Sequence, residues 1–390
     1  MASGGLPPDA LAPDSWRQAL RLGWSQSRTL LLLAATDTAA VPGISAAGAS
    51  PTARLGTAAA DAELLVQGPG GSRCHALPPL PAGVSPALIS HVVLRELGLL
   101  DRTRVLDLGC PIAPAVPHLR LPGLESEGPA CCLSTGRALD PARVAALLQR
   151  GTRWGQRWDP SEPLVVAECV PGGTSTALAV LQGLGVAAAG LVSGSLHQPA
   201  HALKAALVGQ GLAAAGLSGG GSGVPDPLAV LAAVGDPMQA FATGLVGAAA
   251  ARGTPVLLAG GSQMAAVLAL ALALAPVAAR QALAERLVVA TTAWVAEEPD
   301  SDLSLLLERI GACWQVQPRL EVAALRFHGC VSGALRDYER GYVKEGVGAG
   351  GLAVLWQLAG RDPAALAAAC DRACRIELDL DGLAGGDRGV

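Results

Sequence analysis

The sequence has little charge, few aromatic residues and almost no lysine. Charged residues make up 15% of the 390 residues and aromatic residues only 3%. The 28 Lys and Arg nearly balance the 32 Asp and Glu, so the formal net charge is −4, and no basic run stands out. Nucleic-acid binding requires a basic surface or aromatic stacking platforms, so no nucleic-acid partner is expected. Because hydrophobic residues make up 51%, a mainly disordered chain is excluded.

The N-terminus lacks the basic segment and apolar run of a cleaved signal peptide, so none is expected. Residues 254–279 carry no charge and are long enough for a membrane span, which needs roughly 20 apolar residues. Gly260, Gly261 and Pro276 interrupt this stretch, however, and no aromatic belt flanks it. We therefore interpret it as a strand, a tight turn and a buried helix, with membrane association as the weaker alternative.

Cysteine pairs with metal-binding spacing are absent. The nine cysteines are an odd number, are irregularly spaced and include no CxxC pair, so no structural zinc site is expected. His197 and His201 suit one face of a helix, but Gln198 and Pro199 lie between them, so metal binding there is a minor alternative. A chain of this length does not need disulfides. We expect reduced thiols, no metal and a cytoplasmic protein.

Short apolar runs bounded by Gly, Pro, Thr or charge predict buried strands. The predicted strands are residues 30–34, 104–108, 164–167, 255–259, 287–290 and 323–327. The predicted helices are residues 174–184, 262–274, 301–310 and 352–358, and one more that begins at Asp236-Pro237. This alternation predicts an α/β fold with three α/β/α layers, a mostly parallel Rossmann-like sheet and a small helical subdomain from the chain ends.

The composition divides the chain into one large domain with two flanking segments. Residues 1–28 are expected to form an N-terminal arm or helical element, residues 29–375 a single α/β domain, and residues 376–390 a C-terminal tail. Within the domain, residues 67–84 and 217–226 are expected to be loops, because Gly, Pro and Ser are concentrated there.

Two predicted strands end in the same pattern of paired glycines followed by a hydroxyl residue. The two turns are Gly172-Gly173-Thr174-Ser175 and Gly260-Gly261-Ser262-Gln263. Glycines let a ligand approach the backbone closely, and a helix start offers N–H donors to a phosphate or carboxylate. An ordinary tight turn with a Ser or Thr cap is the alternative interpretation. Neither turn is a Walker loop or a GxGxxG loop, and the pattern does not say which of them would bind phosphate.

Two glutamates are candidates for chemistry beside these turns. Glu168 ends a strand directly before the first turn, where it would bind ribose hydroxyls or, equally well, stabilise the loop by accepting backbone N–H groups. Glu345 lies in residues 336–351, which hold six charged residues in their first ten positions. A partly buried carboxylate there would have a raised pKa and would suit a general base, while a solvated loop is the alternative.

Taken together, several motifs resemble the archaeal and cyanobacterial branch of the nicotinate-nucleotide–dimethylbenzimidazole phosphoribosyltransferase family. The matching motifs are Thr36-Asp37-Thr38, STGRALD (134–140), AECVPGGTSTALAVLQGLG (167–185), VGDPMQ (234–239), VLLAGGSQM (256–264) and YVKEGVGAGG (342–351). The similarity to the bacterial branch is weaker and rests mainly on the turn after Glu168 and on the E-G-x-G element at Glu345.

The resemblance implies a homodimeric enzyme that moves the ribose phosphate of nicotinate mononucleotide onto a benzimidazole-type or other lower-ligand base. Nicotinate is released, and the product enters cobamide biosynthesis. The resemblance also implies a parallel α/β domain, no cofactor, and Glu345 as the general base. The expected substrate-binding residues, from the resemblance and the two turns, are Glu168, Gly172, Gly173, Thr174, Ser175, Lys204, Asp236, Gly260, Gly261, Ser262, Gln263, Lys344, Gly346 and Gly348.

The chain departs from the bacterial branch at Tyr342, where that branch carries an arginine. Lys344 or Arg340 is the candidate replacement. The hydrophobic slot for the incoming base cannot be matched residue by residue, so a purine is an open alternative to a benzimidazole. A catalytically silent homologue that binds a nucleotide or base, in regulation or assembly, is the alternative function.

Overall fold

The computed structural model of the chain describes residues 15–78, 80–217 and 226–378. The first 14 residues of the expected arm lie outside the described residues, as do the tail 379–390 and most of the loop expected at 217–226. The described part of the loop predicted at 67–84 contains no helix or strand after Gln67.

Seven parallel strands form one sheet in the described residues. The strands are β1 (Arg28–Leu33), β2 (Thr103–Asp107), β3 (Leu119–Arg120), β4 (Leu164–Cys169), β5 (Val256–Ala259), β6 (Leu287–Thr292) and β7 (Arg319–Ala323). They are arranged in the order β3-β2-β1-β4-β5-β6-β7. β1 pairs with two neighbours, and its Leu31 lies opposite Val105 of β2 and Ala167 of β4.

Fifteen α-helices of the described residues surround the sheet. They are α1 (Ser15–Gly23), α2 (Pro51–Gln67), α3 (Ala87–Glu96), α4 (Pro141–Arg157), α5 (Gly173–Gly183), α6 (His201–Ala214), α7 (Pro227–Val234), α8 (Pro237–Ala251), α9 (Ser262–Leu274), α10 (Arg280–Arg286), α11 (Ala293–Ala296), α12 (Leu303–Trp314), α13 (Gly333–Glu339), α14 (Ala349–Leu358) and α15 (Pro363–Glu377). Together with the sheet they make the predicted three-layer α/β/α fold.

Both faces of the sheet are buried, as the uninterrupted apolar strands predicted. Leu30 and Leu32 of β1 pack into one core with α4, α5, α8 and α9. Leu31 and Leu33 point to the opposite face and pack into a second core with α2, α3, α14 and α15. Because successive side chains of a strand alternate between faces, one apolar run serves both cores. Burial of each such leucine contributes about 1.5–3 kcal/mol.

Helices from both ends of the chain contribute to the second core. Trp16 and Leu20 of α1 are buried there, and the Trp16 indole Nε1 donates a hydrogen bond to Val256 O at 3.3 Å. Leu366 and Cys370 of α15 lie in the same core. The helical part that the chain ends were expected to form is thus packed directly on the sheet.

The predicted strands at 30–34, 104–108, 164–167, 255–259 and 287–290 are confirmed with small shifts at their ends. The prediction of a strand at 323–327 is wrong, because β7 ends at Ala323. As an edge strand, β7 keeps part of its surface exposed and lacks a continuous apolar run. Leu325 and Phe327 are buried, but as loop residues of the second core. The two-residue strand β3 was not predicted.

The charge-free stretch 254–279 contains β5, a glycine turn and α9, which confirms the interpretation as strand, turn and buried helix. Among the described residues, no helix is both long enough and apolar enough to cross a membrane.

The order of the strands determines where a ligand would bind. The chain builds the sheet outward from β1 to β3 and then returns past β1 to build β4 through β7. This reversal places a crevice between the carboxyl ends of β1 and β4, which is where open α/β sheets bind ligands.

Candidate active site

A cavity of about 490 Å³ lies at the carboxyl ends of β4, β5 and β6. The sequence-predicted residues on its wall are Glu168, Gly172, Gly173, Thr174, Gly261, Ser262, Gln263, Lys344, Glu345 and Gly346. Both glycine turns and both candidate glutamates therefore face the same cavity. They are separated by up to 177 positions in the sequence, from Glu168 to Glu345, and the parallel sheet brings them together.

The first glycine turn places the start of α5 against the cavity. Gly172 has a left-handed backbone with φ of +81°, and a Cβ at this position would lie 3.0 Å from Ala39 N. A larger residue would be both strained and crowded here. No side chain caps the helix, and Thr174 is partly exposed to the cavity. The helix start therefore presents its positive end to any anion in the cavity.

The second glycine turn brings the start of α9 beside the start of α5. A Cβ at Gly173 would overlap the side-chain oxygen of Gln263, so the two helix starts are in close contact. Gly261 precedes α9 without a side-chain cap, and the Ser262 hydroxyl accepts a hydrogen bond from Ser193 N at 3.0 Å. Two helix N-termini thus face one cavity, which strengthens its preference for an anionic group.

The carboxylate of Glu345 is held by four hydrogen-bond donors. Its Oε2 accepts from the Thr291 hydroxyl at 2.8 Å and from Thr292 N at 3.0 Å. Its Oε1 accepts from Gly346 N at 3.1 Å and from Gly350 N at 3.0 Å. Burial raises the pKa of Glu345, although the donors counteract part of this rise by stabilising the charged form. The result is an oriented, partly exposed carboxylate with the properties of a general base.

Glu168 is more deeply buried than Glu345. Its side chain accepts a hydrogen bond from Val170 N at 3.0 Å. Burial raises the pKa of Glu168 to about 8, and the nearby carboxylates of Glu345 and Asp236 raise it as well. At neutral pH this carboxyl group is mainly protonated, so it can donate a hydrogen bond as well as accept one.

The buried carboxyl group of Glu168 predicts a measurable dependence of stability on pH. The folded chain retains this proton where the unfolded chain has released it, so the contribution of Glu168 to stability falls as the pH rises from about 4.5 to about 8. We expect Glu168→Gln to lose this dependence and to be more stable than wild type above pH 8, by on the order of a few kcal/mol. Urea unfolding at a series of pH values measures the effect.

Glu308→Gln on the exposed surface of α12 is the matched control, and its pH profile of stability is expected to follow wild type. If Glu168→Gln has the same profile as Glu308→Gln, Glu168 is already ionised in the folded chain at neutral pH.

Five residues predicted to bind substrate are not on the cavity wall. They are Ser175, Lys204, Asp236, Gly260 and Gly348. Ser175 is fully buried within α5. Gly260 has φ of +154° and turns the chain from β5 into α9, while Gly348 packs so closely that a Cβ would lie 2.6 Å from the Ala167 Cβ. These two glycines therefore do not line the cavity, but they allow the turn after β5 and the close packing against β4 that position the residues lining it.

Asp236 and Lys204 are both buried and engaged by the protein itself. Asp236 caps α8 through a reciprocal capping box with Gln239, and it also accepts a hydrogen bond from the Thr176 hydroxyl at 2.5 Å. Lys204 donates from Nζ to Ser193 O at 2.7 Å, and burial lowers the pKa of its ammonium to about 8.

The two candidate replacements for the missing arginine are also engaged. Lys344 Nζ forms an ion pair with Glu298 and donates to Leu196 O at 2.8 Å, and Arg340 pairs with Asp337. The Arg340 guanidinium and the Lys344 ammonium are therefore both paired within the protein, and neither is free in this structure to replace an arginine at position 342.

His197 and His201 do not form a metal site with other ligands. Among the described residues, no group of three or more His, Cys, Asp or Glu side chains is placed to hold a metal ion. His197 contacts the ring of Tyr342, with ring centroids 5.0 Å apart, and both residues line the cavity. The His201 ring nitrogen Nε2 hydrogen-bonds to Asp300 O at 2.5 Å.

One part of the cavity wall, an apolar loop with a buried aspartate beside it, was not predicted from the sequence. Asp61 of α2 lies there beside Ser85, whose hydroxyl donates to it at 2.6 Å, and burial raises the pKa of Asp61 to about 6. The apolar residues of the loop that face the cavity are Leu77, Pro78, Leu80, Pro81, Ala82 and Val84. Leucine and proline fill positions 77–81 (LPPLP), a signal that this loop covers an apolar space.

Comparisons with known proteins agree with this architecture. A phosphoribosyltransferase family model (DBI_PRT) matches residues 102–291. Crystal structures of CobT and of a nicotinate-nucleotide-dimethylbenzimidazole phosphoribosyltransferase, both from Thermus thermophilus, share the fold, with TM-scores of 0.55 and 0.53 at 19% identity. The first alignment covers 98% of this chain and 96% of CobT, and the second covers 96% and 91%.

Closer relatives have been found among cyanobacteria. A UPF0284 protein of Parasynechococcus marenigrum is 51% identical over 356 residues, covering 90% of this chain and 87% of the relative. A UPF0284 protein of Prochlorococcus marinus is 49% identical over 377 residues, covering 95% and 91%. The chain therefore belongs to the UPF0284 family, and the phosphoribosyltransferase model over residues 102–291 agrees with the family that its motifs indicated.

Proposed function

We propose that the chain transfers the ribose 5-phosphate group of nicotinate mononucleotide to a benzimidazole-type or other lower-ligand base in cobamide synthesis. The observation that carries this proposal is the convergence of Glu168, Glu345 and two uncapped helix starts on one cavity. The family model that matches residues 102–291 is described as a phosphoribosyltransferase. The two helix starts suit an anionic sugar donor, and the carboxylate suits proton transfer from a heterocyclic acceptor.

The two helix starts would bind the anionic groups of the donor. The N-termini of α5 and α9 adjoin and carry no side-chain caps, so their backbone N–H groups and helix dipoles favour phosphate or carboxylate. The neutral carboxyl group of Glu168 would hydrogen-bond a ribose hydroxyl. Holding both reactants in one cavity supplies most of the catalytic effect, because it removes the entropic cost of bringing them together.

Glu345 would act as the general base. The bond between the ribose carbon and the pyridinium nitrogen breaks, and its electron pair leaves with nicotinate. A nitrogen of the acceptor forms the new bond to the same carbon, and the proton that this heterocycle loses goes to Glu345. The four donors around Glu345 hold its carboxylate in one orientation for this transfer.

The apolar loop and Asp61 would surround the acceptor. An apolar wall with few polar groups suits a flat heterocycle, and Asp61 is a polar group on that wall. A homodimer is the expected assembly of the enzyme.

Incubation of the wild-type chain with nicotinate mononucleotide and a panel of bases tests the proposal. We expect nicotinate release to depend on an added base and to match the amount of ribotide formed, as measured by liquid chromatography and mass spectrometry. The panel contains benzimidazole-type bases and purines, so it also identifies the acceptor class. Calorimetric binding of nicotinate mononucleotide without product from every base would support the silent homologue instead, and absence of binding would contradict both functions.

A further inference from the structure

The only two lysines of the sequence are buried, and both donate hydrogen bonds to the same piece of the cavity wall. This piece, residues 193–197, lines the cavity and is called the 193–197 segment here. Lys204 Nζ donates to Ser193 O at 2.7 Å, and Lys344 Nζ donates to Leu196 O at 2.8 Å. Each lysine is only 1% exposed. Both ends of the 193–197 segment are therefore held by buried ammonium groups.

A single buried carboxylate accompanies these two cations. Glu298 forms an ion pair with Lys344, and the side chains are 3% and 1% exposed. The other Glu298 oxygen accepts a hydrogen bond from the Ser301 hydroxyl at 2.6 Å. The negative charge of Glu298 also acts on the pKa of Lys204, so the three charged groups are neighbours. Burying an ion costs free energy unless an opposite charge pairs with it, so the burial of the Lys344 ammonium depends on Glu298.

Lys344 immediately precedes Glu345 and lies in a strained backbone. Val343, Lys344 and Val347 have φ values of +64°, +66° and +53°, which are unfavourable for residues with a side chain. Such conformations persist only where surrounding contacts enforce them. The contacts on the Lys344 side chain are the ion pair with Glu298 and the hydrogen bond to Leu196 O. Its backbone donates to Tyr342 O at 2.7 Å and accepts from the Thr292 hydroxyl at 2.7 Å.

We propose that Glu298 is a positioning residue for Glu345. By pairing with Lys344, Glu298 holds Val343 and Lys344 in their left-handed conformation, which keeps the Glu345 carboxylate on its four donors. The hydrogen bond from Lys344 Nζ to Leu196 O ties this strained turn to the 193–197 segment of the cavity wall. This inference rests on the proposed function insofar as Glu345 is the general base, but the positioning itself is a property of the fold.

The test compares Glu298→Gln with wild type and with Glu297→Gln. Glutamine keeps the size of Glu298 and the hydrogen bond from Ser301 but removes the charge that pairs with Lys344. Glu297 is the adjacent residue, with a side chain 64% exposed, and it pairs with Arg326 at the surface. We expect Glu298→Gln to lower kcat for nicotinate release about 10–100-fold with KM for nicotinate mononucleotide within about twofold, because misplacement of a catalytic group acts on turnover. Glu297→Gln is expected to match wild type.

Hydrogen exchange measures the positioning independently of activity. We expect peptides that contain residues 343–351 to exchange faster in Glu298→Gln than in wild type, because Gly346 N and Gly350 N lose their common acceptor. Peptides from α4, on the other side of the sheet, serve as the internal reference and are expected to exchange at the wild-type rate. If the wild-type chain has no transferase activity, the proposed function is contradicted. The exchange rate of residues 343–351 still shows whether Glu298 positions Glu345.

Glu298→Asp keeps the charge on a shorter side chain and is expected to show an intermediate loss of kcat and an intermediate exchange rate. This variant replaces Glu298→Gln should the latter not fold. The inference is overturned if folded Glu298→Gln, or Glu298→Asp in its place, retains wild-type kcat or wild-type exchange at residues 343–351.

Discussion

Replacing Glu345 with glutamine is expected to lower kcat for nicotinate release by about 10²–10⁴-fold, the usual contribution of a general base. Glutamine cannot take up the proton that the acceptor loses, yet its side-chain oxygen can still accept from Thr291 and Thr292. The variant is therefore expected to fold and to bind nicotinate mononucleotide with nearly unchanged affinity. Steady-state kinetics at saturating donor and acceptor measure the loss, and calorimetry measures donor binding.

Glu308→Gln on the exposed face of α12 controls for removal of a carboxylate far from the cavity, and its kcat is expected to equal that of wild type. If Glu345→Gln retains kcat within a factor of about three, Glu345 does not take the proton. Glu168, a second carboxyl group at the carboxyl ends of the strands, would then be the candidate, and Glu168→Gln would show the larger loss.

Gly350→Ala is expected to have the largest effect on the fold near the site. Gly350 lies in the first turn of α14, where a Cβ would overlap the backbone of Thr291 and Thr292 and the Glu345 carboxylate. No flexible side chain is available to move, so α14 must shift away from β6. We expect a loss of about 3 kcal/mol or more in the free energy of unfolding, measured by urea denaturation, together with loss of turnover.

Gly247→Ala is the matched control, since Gly247 also lies inside a helix, α8, but has open space around its Cα. Alanine is the better helix former, so this variant is expected to be as stable as wild type or more stable by up to about 1 kcal/mol. Equal stability of the two variants would mean that α14 and β6 are not packed closely at Gly350.

The sequence predicted the strands correctly where both of their faces are buried. β1, β4, β5 and β6 are surrounded by helices, so their residues form continuous apolar runs that stand out from the rest of the chain. β7 is an edge strand with partly exposed residues, and its sequence does not differ from that of a loop. The apolar Leu325 and Phe327 next to it misled the prediction, because loop residues can also fill a core.

Only part of the candidate site could be predicted from the sequence. Glycine turns and acidic residues directly after strands can be recognised locally, and a parallel sheet brings the ends of its strands to one edge. By contrast, Lys344 carries no local sign that it pairs with Glu298, 46 positions earlier in the sequence. The sequence likewise gives no sign that the Lys204 ammonium donates to Ser193 O.

By itself the sequence determined the layers of this protein and its two glycine turns, because hydrophobic periodicity and turn chemistry act between residues that are close along the chain. Only the tertiary structure decided which charged groups face the cavity and which neutralise each other behind it. Burial raises the cost of every unpaired charge, and whether a side chain is buried or paired depends on elements that are distant in the sequence.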